Sequence, residues 1–346
     1  MHSSHFGTLP CGQAVEIHTL SNPAGSELKV LTYGGIVTSL RVPDRHGHLD
    51  DVVLGFNRLA DYLERSPYFG AITGRVAGRI PAGRFTLGGK IHQLALNDGA
   101  NHLHGGITGL DKRVWQAAPV LRPDGADSLR LHYFSPDGEE GYPGALDITV
   151  TYTLTDDNAF IVETATSSDR PTPVSLTHHS YFNLAGEGNG TIADHLLQIT
   201  ADRAIALADD LAPLGHAYPV AGLADDFTTP RRLDDAIPGI FQCHGALYCL
   251  DRPDEGALVA VARLSDPASG RVLDVSTTEH CLQLYTSSVF DGTLTGKSGR
   301  AYPRHAGICF ECEGYPDGVN TPGFGNILVD PERPQRHTTV YAFSTF

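Results

Sequence analysis

No apolar run in the 346-residue sequence approaches the ~20 residues that a membrane helix needs. Basic residues are scarce: 25 Lys and Arg stand against 40 Asp and Glu, a formal net charge of −15. That balance argues against nucleic acid or an anionic membrane surface as a partner, because both carry negative charge. Six cysteines in a chain of this length do not make a disulfide framework. Residues 1–6 lack a basic region followed by an apolar stretch, so no signal peptide is expected. The expectation is a cytoplasmic protein with reduced thiols. Charged residues make up only 19%, against 38 Gly and 22 Pro. This composition suits many strands joined by turns better than long, salt-bridged helices.

What the chain does have is period-two alternation. Ile148, Val150, Tyr152 and Leu154 alternate with threonines, Asp156-Asp157-Asn158 makes a turn, and Phe160, Val162 and Thr164 resume the pattern. This predicts a β-hairpin with one buried face. A second hairpin is expected over 258–264 and 271–277, around the turn-forming run 266–270. Further strands are expected at 27–42, 51–55, 83–96, 128–134, 195–201, 281–287, 307–313 and 338–343. Helical patterns are confined to 57–65 and a turn at 231–236. No βαβ alternation and no linker is evident. The prediction is one all-β domain spanning 1–346, a large antiparallel β-sandwich.

Several motifs carry little. Cys309-Phe310-Glu311-Cys312 reads as a redox or zinc string, yet residues three apart on a strand face opposite ways. No second ligand pair with zinc spacing accompanies it. Gly186–Gly190 lacks the strand–turn–helix setting of a phosphate loop. Asn189-Gly190-Thr191 is a glycosylation sequon that matters only in a secreted chain. His102 and His104 would share a strand face and could bind a metal, but no carboxylate set accompanies them. The expectation is no metal and no cofactor.

Four polar clusters are harder to explain as structure: Gly74–Ile80, Asn101–Gly106, His178–Gly186 and Gly307–Glu313, the last followed by Gly314–Asn320. Arg79 has a bland reading as a surface ion-pair residue, and His179 as a satisfied core histidine. Glu311 in an apolar strand does not, because an unpaired buried carboxylate is costly. Glu311 and Glu313 share a strand face, about 7 Å apart, so repulsion should raise the pKa of one of them. A carboxylate with a raised pKa and a histidine titrating near neutrality make a base and an acid. With no cofactor motif beside them, they point to proton transfer on a neutral, hydroxyl-rich substrate.

Taken together and in this order, these clusters resemble the aldose 1-epimerase family over residues 28–343. The Leu103-His104-Gly105-Gly106, His179–Leu184 and Pro316-Asp317…Asn320 strings carry the resemblance. It implies a β-supersandwich with an open sugar cleft, no metal or cofactor, and interconversion of the α and β anomers of a free aldose. Carried onto this chain, Glu311 matches the catalytic base and His179 the catalytic acid. Arg79, His104 and Gln283 match sugar-contacting positions, and Glu313 joins them as a candidate substrate contact. His178 should face away from His179 and be structural. The partner is a small free aldose, and the chain is expected as a monomer or homodimer.

Three departures stand out. Gly78 replaces an asparagine common before the cleft arginine. Glu311-Cys312-Glu313 replaces Glu-Thr-Gln. The family's substrate-binding aspartate falls at Gly245 when Leu250 is aligned. Asp251, six residues on and about 20 Å away along an extended strand, cannot simply substitute. A substrate other than galactose or glucose, another aldose or a deoxy sugar, is therefore the expectation. The alternatives are a non-catalytic sugar-binding or regulatory protein, a sugar-phosphate epimerase on the same fold, and an enzyme of another proton transfer such as keto-sugar isomerisation. The phosphate reading needs a basic pocket, for which Arg75 and Arg79 are the close pair.

Overall fold

A computed structural model describes the chain apart from residues 251–253, 255 and 322. Its largest sheet has nine strands, ordered Gln116–Val120, Asp127–Ser135, Leu146–Leu154, Ala159–Ser168, Gln335–Thr345, Arg271–Thr277, Val259–Ser265, Leu196–Ile199 and Arg231–Arg232. Every neighbouring pair is antiparallel. The Thr-rich hairpin forms as expected, with Leu146 opposite Ser168 and Leu154 opposite Phe160. Its alternation explains the faces: Leu146, Ile148, Val150 and Tyr152 are buried, whereas Asp147 is exposed. Asn158 closes the turn at φ 65°, a left-handed conformation that asparagine tolerates. The hairpin Val259–Ser265/Arg271–Thr277 also forms.

A five-stranded antiparallel sheet takes the N-terminal strands His2–Thr8, Ala14–Ser21, Glu27–Leu31, Val37–Pro43 and Leu49–Asp51 in sequence order. Two expected single strands are in fact pairs. The 27–42 run breaks at Gly34-Gly35, both at positive φ. A Cβ on Gly34 would lie 2.3 Å from the Asp111 carbonyl oxygen, so only glycine fits. The 83–96 run folds into a hairpin, Arg84–Leu87 and Lys90–Gln93, around Gly88-Gly89. Residues 51–55 leave the sheet after Asp51, and Val53 makes a lone bridge to Phe182. The short helix falls at Leu59–Arg65 and the helical turn at Leu233–Ala236. Among the described residues no helix is long and apolar enough to cross a membrane.

The third sheet positions the site. Its order is Pro213–Pro219, Arg203–Leu207, Leu247–Cys249, Cys281–Tyr285 and Cys309–Glu313, all antiparallel. One side of it packs into the main core: Tyr248, Leu282, Leu284, Phe310 and Cys312 join Leu28, Val30, Leu131, Val150 and Phe343 from the other two sheets. Strand alternation then fixes the other side, where Leu247, Gln283, Glu311 and Glu313 must point away from that core. The same alternation separates the two cysteines of the Cys-x-x-Cys string: Cys312 lies in the main core and Cys309 in a second apolar cluster.

Candidate active site

Register builds the site floor. Ile205 pairs with Leu247, Leu247 with Gln283, and Gln283 with Glu311. These side chains therefore form one row across four strands, projecting to one face. Above the row opens a cleft of about 250 Å³, whose lining includes Tyr68, Arg79, His104, His179, Gln283 and Glu311. Five of the six sequence-predicted site residues thus meet in one place. Another hollow, of about 220 Å³, contains none of them.

His179 follows the short strand Thr177–His178 and is held by backbone bonds: its N–H donates to Ala71 and its carbonyl accepts from Gly70. Its ring lies near-parallel to Tyr68 and to Tyr181, with centroids 5.7 and 5.0 Å away. This packing fixes the imidazole plane and keeps water from its faces. The Nε2 atom sits 3.5 Å from Glu311 Oε2. His178 turns the other way, as expected, with Nε2 2.7 Å from Ser180 Oγ and Nδ1 3.2 Å from Tyr152 Oη.

His104 stands at φ 51° in the turn after His102–Leu103. The adjacent Gly105 lets this turn press on the Gly74 backbone, because a Cβ there would lie 1.6 Å from the Gly74 carbonyl oxygen. The Gly78 N–H donates to His104 Nδ1 at 3.3 Å. In a neutral imidazole that contact leaves the ring proton on Nε2, which faces Glu311 Oε2 at 3.9 Å. Gly78 itself has φ 68°, and a Cβ there would lie 2.6 Å from Pro316. His102 diverges from His104, with Nδ1 2.8 Å from the Ala95 carbonyl and Nε2 2.7 Å from Tyr142 Oη. The shared-face metal pair therefore does not form. His104, His179 and Glu311 do bring one ligand atom each within 4.8 Å of one another, a donor set of the kind that divalent transition metals take.

Electrostatics changes the expected roles. Burial pushes the Glu311 carboxyl up to about 8, opposed by the nearby Arg79 guanidinium. Burial pulls His179 down to about 4 and His104 well below its ordinary value. The expectation of a histidine titrating near neutrality is corrected: a dry cavity disfavours its charged form. Glutamate repulsion is a lesser cause than expected. Both carboxyls are raised first by loss of water, and only for Glu313 does the neighbouring Glu311 follow. Glu311 Oε2 is buried with no hydrogen-bond partner among the described residues, facing the Nε2 atoms of His179 and His104.

Glu313 is the site candidate that the cleft excludes. It is buried, neither carboxyl oxygen has a hydrogen-bond partner among the described residues, and on the same face as Glu311 it lies against Gly78, beside Pro316. Arg79 reaches the cleft wall, where its Nε donates to Asp98 at 2.7 Å. Arg75 does not: it is buried, donating to Ser135 Oγ and to the Pro136, Pro143 and Gly144 carbonyls. The arginine pair that a phosphate pocket would need is thus split. Gln283 donates its amide to the Leu284 carbonyl at 2.6 Å, which leaves its side-chain oxygen available as an acceptor.

The segment expected to lack an aspartate is resolved by its backbone. Gly245 has φ 143°, and a Cβ there would lie 1.9 Å from the Leu284 carbonyl oxygen. It presents no side chain to the cleft, whereas His244 and Leu247 do. Asp251 lies outside the described residues. Sequence reasoning missed Tyr68, Asp98, His244, Leu247 and Tyr285. His244, whose ring lies 4.5 Å from Tyr285, was signalled only by standing beside Gly245.

Comparison with known proteins finds relatives over nearly the whole chain. The family described as aldose 1-epimerase matches residues 16–342. A galactose mutarotase from Sus scrofa is 44% identical over 99% of this chain and 98% of its own length. An aldose 1-epimerase from Escherichia coli is 33% identical over 96% of each chain. The crystal structure of a galactose 1-epimerase from Lactobacillus acidophilus superposes with a TM-score of 0.86 at 29% identity, covering 99% of this chain and 98% of that one.

Proposed function

This chain belongs to the aldose 1-epimerase family, and from that premise we propose that Glu311 and His179 interconvert the α and β anomers of a free aldose by acid–base ring opening and closure. The observation that carries the assignment is the 3.5 Å approach of His179 Nε2 to Glu311 Oε2 on the cleft floor. Between about pH 4 and about pH 8 the pair holds one proton. The isomer with both groups neutral and the isomer with carboxylate and imidazolium have the same proton count, so a shift across the contact interchanges them. The macroscopic values belong to the pair.

The charged isomer starts the reaction. Glu311 takes the proton of the C1 hydroxyl, the C1–O5 bond breaks with its electron pair going to O5, and His179 protonates O5. An open-chain aldehyde and a neutral pair result, the isomer that a dry cleft favours. Rotation about C1–C2 exposes the other carbonyl face. On closure O5 attacks C1, its proton returns to His179, and Glu311 protonates the new C1 oxygen. The Nε2–H of His104 and the Arg79 guanidinium donate to oxygens gaining charge, and the Gln283 oxygen accepts a sugar hydroxyl. Acid–base groups positioned in this way contribute about 10²–10⁴-fold each.

Arg79 is the one cation among the described residues lining the cleft, and Asp98 engages it. That arrangement favours a neutral sugar over a sugar phosphate. The main core, which gathers residues from Leu20 to Phe343, supports one domain. No described cysteine is in a disulfide, which accords with a reducing cytoplasm. Saturation-transfer NMR on free aldoses tests the activity: the protein should accelerate exchange between the two anomeric proton signals and leave every other connectivity unchanged. Bound sugar without accelerated exchange would favour a binding protein, and a ketose signal would favour isomerisation.

A further inference from the structure

The cleft is chemically two-sided. Glu311, His179 and His104 gather at one end, and the Arg79–Asp98 pair stands on the wall. Along the floor row, Gln283 follows Glu311, and then Leu247 follows Gln283. Strands are spaced about 4.8 Å apart, so Leu247 lies about 10 Å from Glu311 across the sheet. There Leu207, which packs against the cluster containing Leu247, its strand partner Pro213 and nearby Leu211 join it in the lining. Leu247 is backed by Ile205, Cys249 and Cys281, so the wall behind it is also non-polar. A hexopyranose held by its anomeric carbon over Glu311 and lying along this row crosses Gln283 and turns its remote edge to that wall.

A fully hydroxylated aldohexose has no dry edge to offer. A hydroxyl set against the side chains of Leu207, Leu211, Pro213 and Leu247 gives up water and gains no hydrogen bond from them, which is unfavourable. A sugar carrying hydrogen in place of one of those hydroxyls gains apolar contact instead. We propose that the preferred substrate is a deoxyaldohexose, lacking the hydroxyl on C4 or C6, whose deoxygenated edge packs on Leu207, Leu211, Pro213 and Leu247. The proposal rests on the mutarotase reading above and adds the substrate class to it. An apolar pocket discriminates weakly against an added hydroxyl, by about 10–10²-fold, so the preference is graded.

The test compares kcat/KM for anomer exchange of D-galactose with that of 4-deoxy- and 6-deoxy-D-galactose, each divided by its own uncatalysed rate. At least one deoxy sugar should exceed the parent by about 10-fold. Leu211→Asn should then reduce that ratio about 5-fold or more by giving the wall a hydrogen-bonding group. Leu211 has φ 64°, a conformation that suits asparagine, so this variant keeps the backbone. Leu247→Asn should act in the same direction, with circular dichroism reporting whether it folds. Galactose preferred over both deoxy sugars overturns the proposal, as does a deoxy preference unmoved by Leu211→Asn. Exchange of none of the three overturns the mutarotase reading itself, and the substrate assignment with it.

Discussion

Glu313 shows most clearly how position on a strand separates two like residues. It stands two residues from Glu311 on the same face, yet Pro316 and Gly78 close over the floor where it lies. Its proton is retained in the folded protein by burial and by Glu311. A carboxyl whose folded pKa is raised is compatible with folding at low pH, and its cost grows as pH climbs past the ordinary value of about 4.3. Glu313→Gln should therefore melt about 3 °C or more above the wild type at pH 8. The gap should close towards pH 4, and exchange activity should persist. Thermal unfolding across that pH range checks the sign. The Glu311–His179 pair gives a second expectation at this scale. kcat/KM should be flat between about pH 4 and about pH 8, falling below that range for want of a base and above it for want of an acid. A pH–rate profile with a limb at pH 6 would contradict the assigned burial. The spacing of Glu311 and Glu313 made a raised carboxyl legible in the sequence; that burial is its main cause, and that burial also pulls His179 down to about 4, was not.

Elements set how close the groups come. The Leu103-His104-Gly105-Gly106 turn brings His104 Nε2 to Glu311 because Gly105 lies directly on the Gly74 carbonyl. Gly105→Ala drives a Cβ into that oxygen at a left-handed φ of 88°. It should lose more than about 4 kcal/mol of stability, or fail to fold, in urea titration. A loss under 1 kcal/mol would mean that the turn relaxes freely. The large hairpins were readable because alternating Ile, Val and Tyr against Thr marks a half-buried strand. Strand breaks at Gly34-Gly35 and Gly88-Gly89 were not, since β-rich residues flank both. Short strands such as Leu247–Cys249 and Arg203–Leu207 were missed because three to five mixed residues show no period. Yet Leu247 completes the row that contains Gln283 and Glu311.

The whole molecule brings a middle segment and a late strand to one cleft. The ordered strings announced Glu311, His179, His104 and Arg79, and the resemblance they carry added Gln283. Tyr68, Asp98 and His244 come from loops whose meeting depends on all three sheets, and local patterning does not carry that information. The net charge of −15 has a testable consequence at this scale. A neutral aldose is not steered by the field of the protein, so kcat/KM should change less than about twofold between low salt and about 0.5 M NaCl. A steep salt dependence would point to a charged substrate.

The account turns on a proton passing between Glu311, the sugar and His179. Saturation-transfer NMR on the Glu311→Gln variant, which keeps the shape of the floor and removes the titrating oxygen, tests this most directly. The account predicts normal folding, retained sugar binding and exchange reduced by about 10²-fold or more. Exchange within a few-fold of wild type in that variant would contradict it.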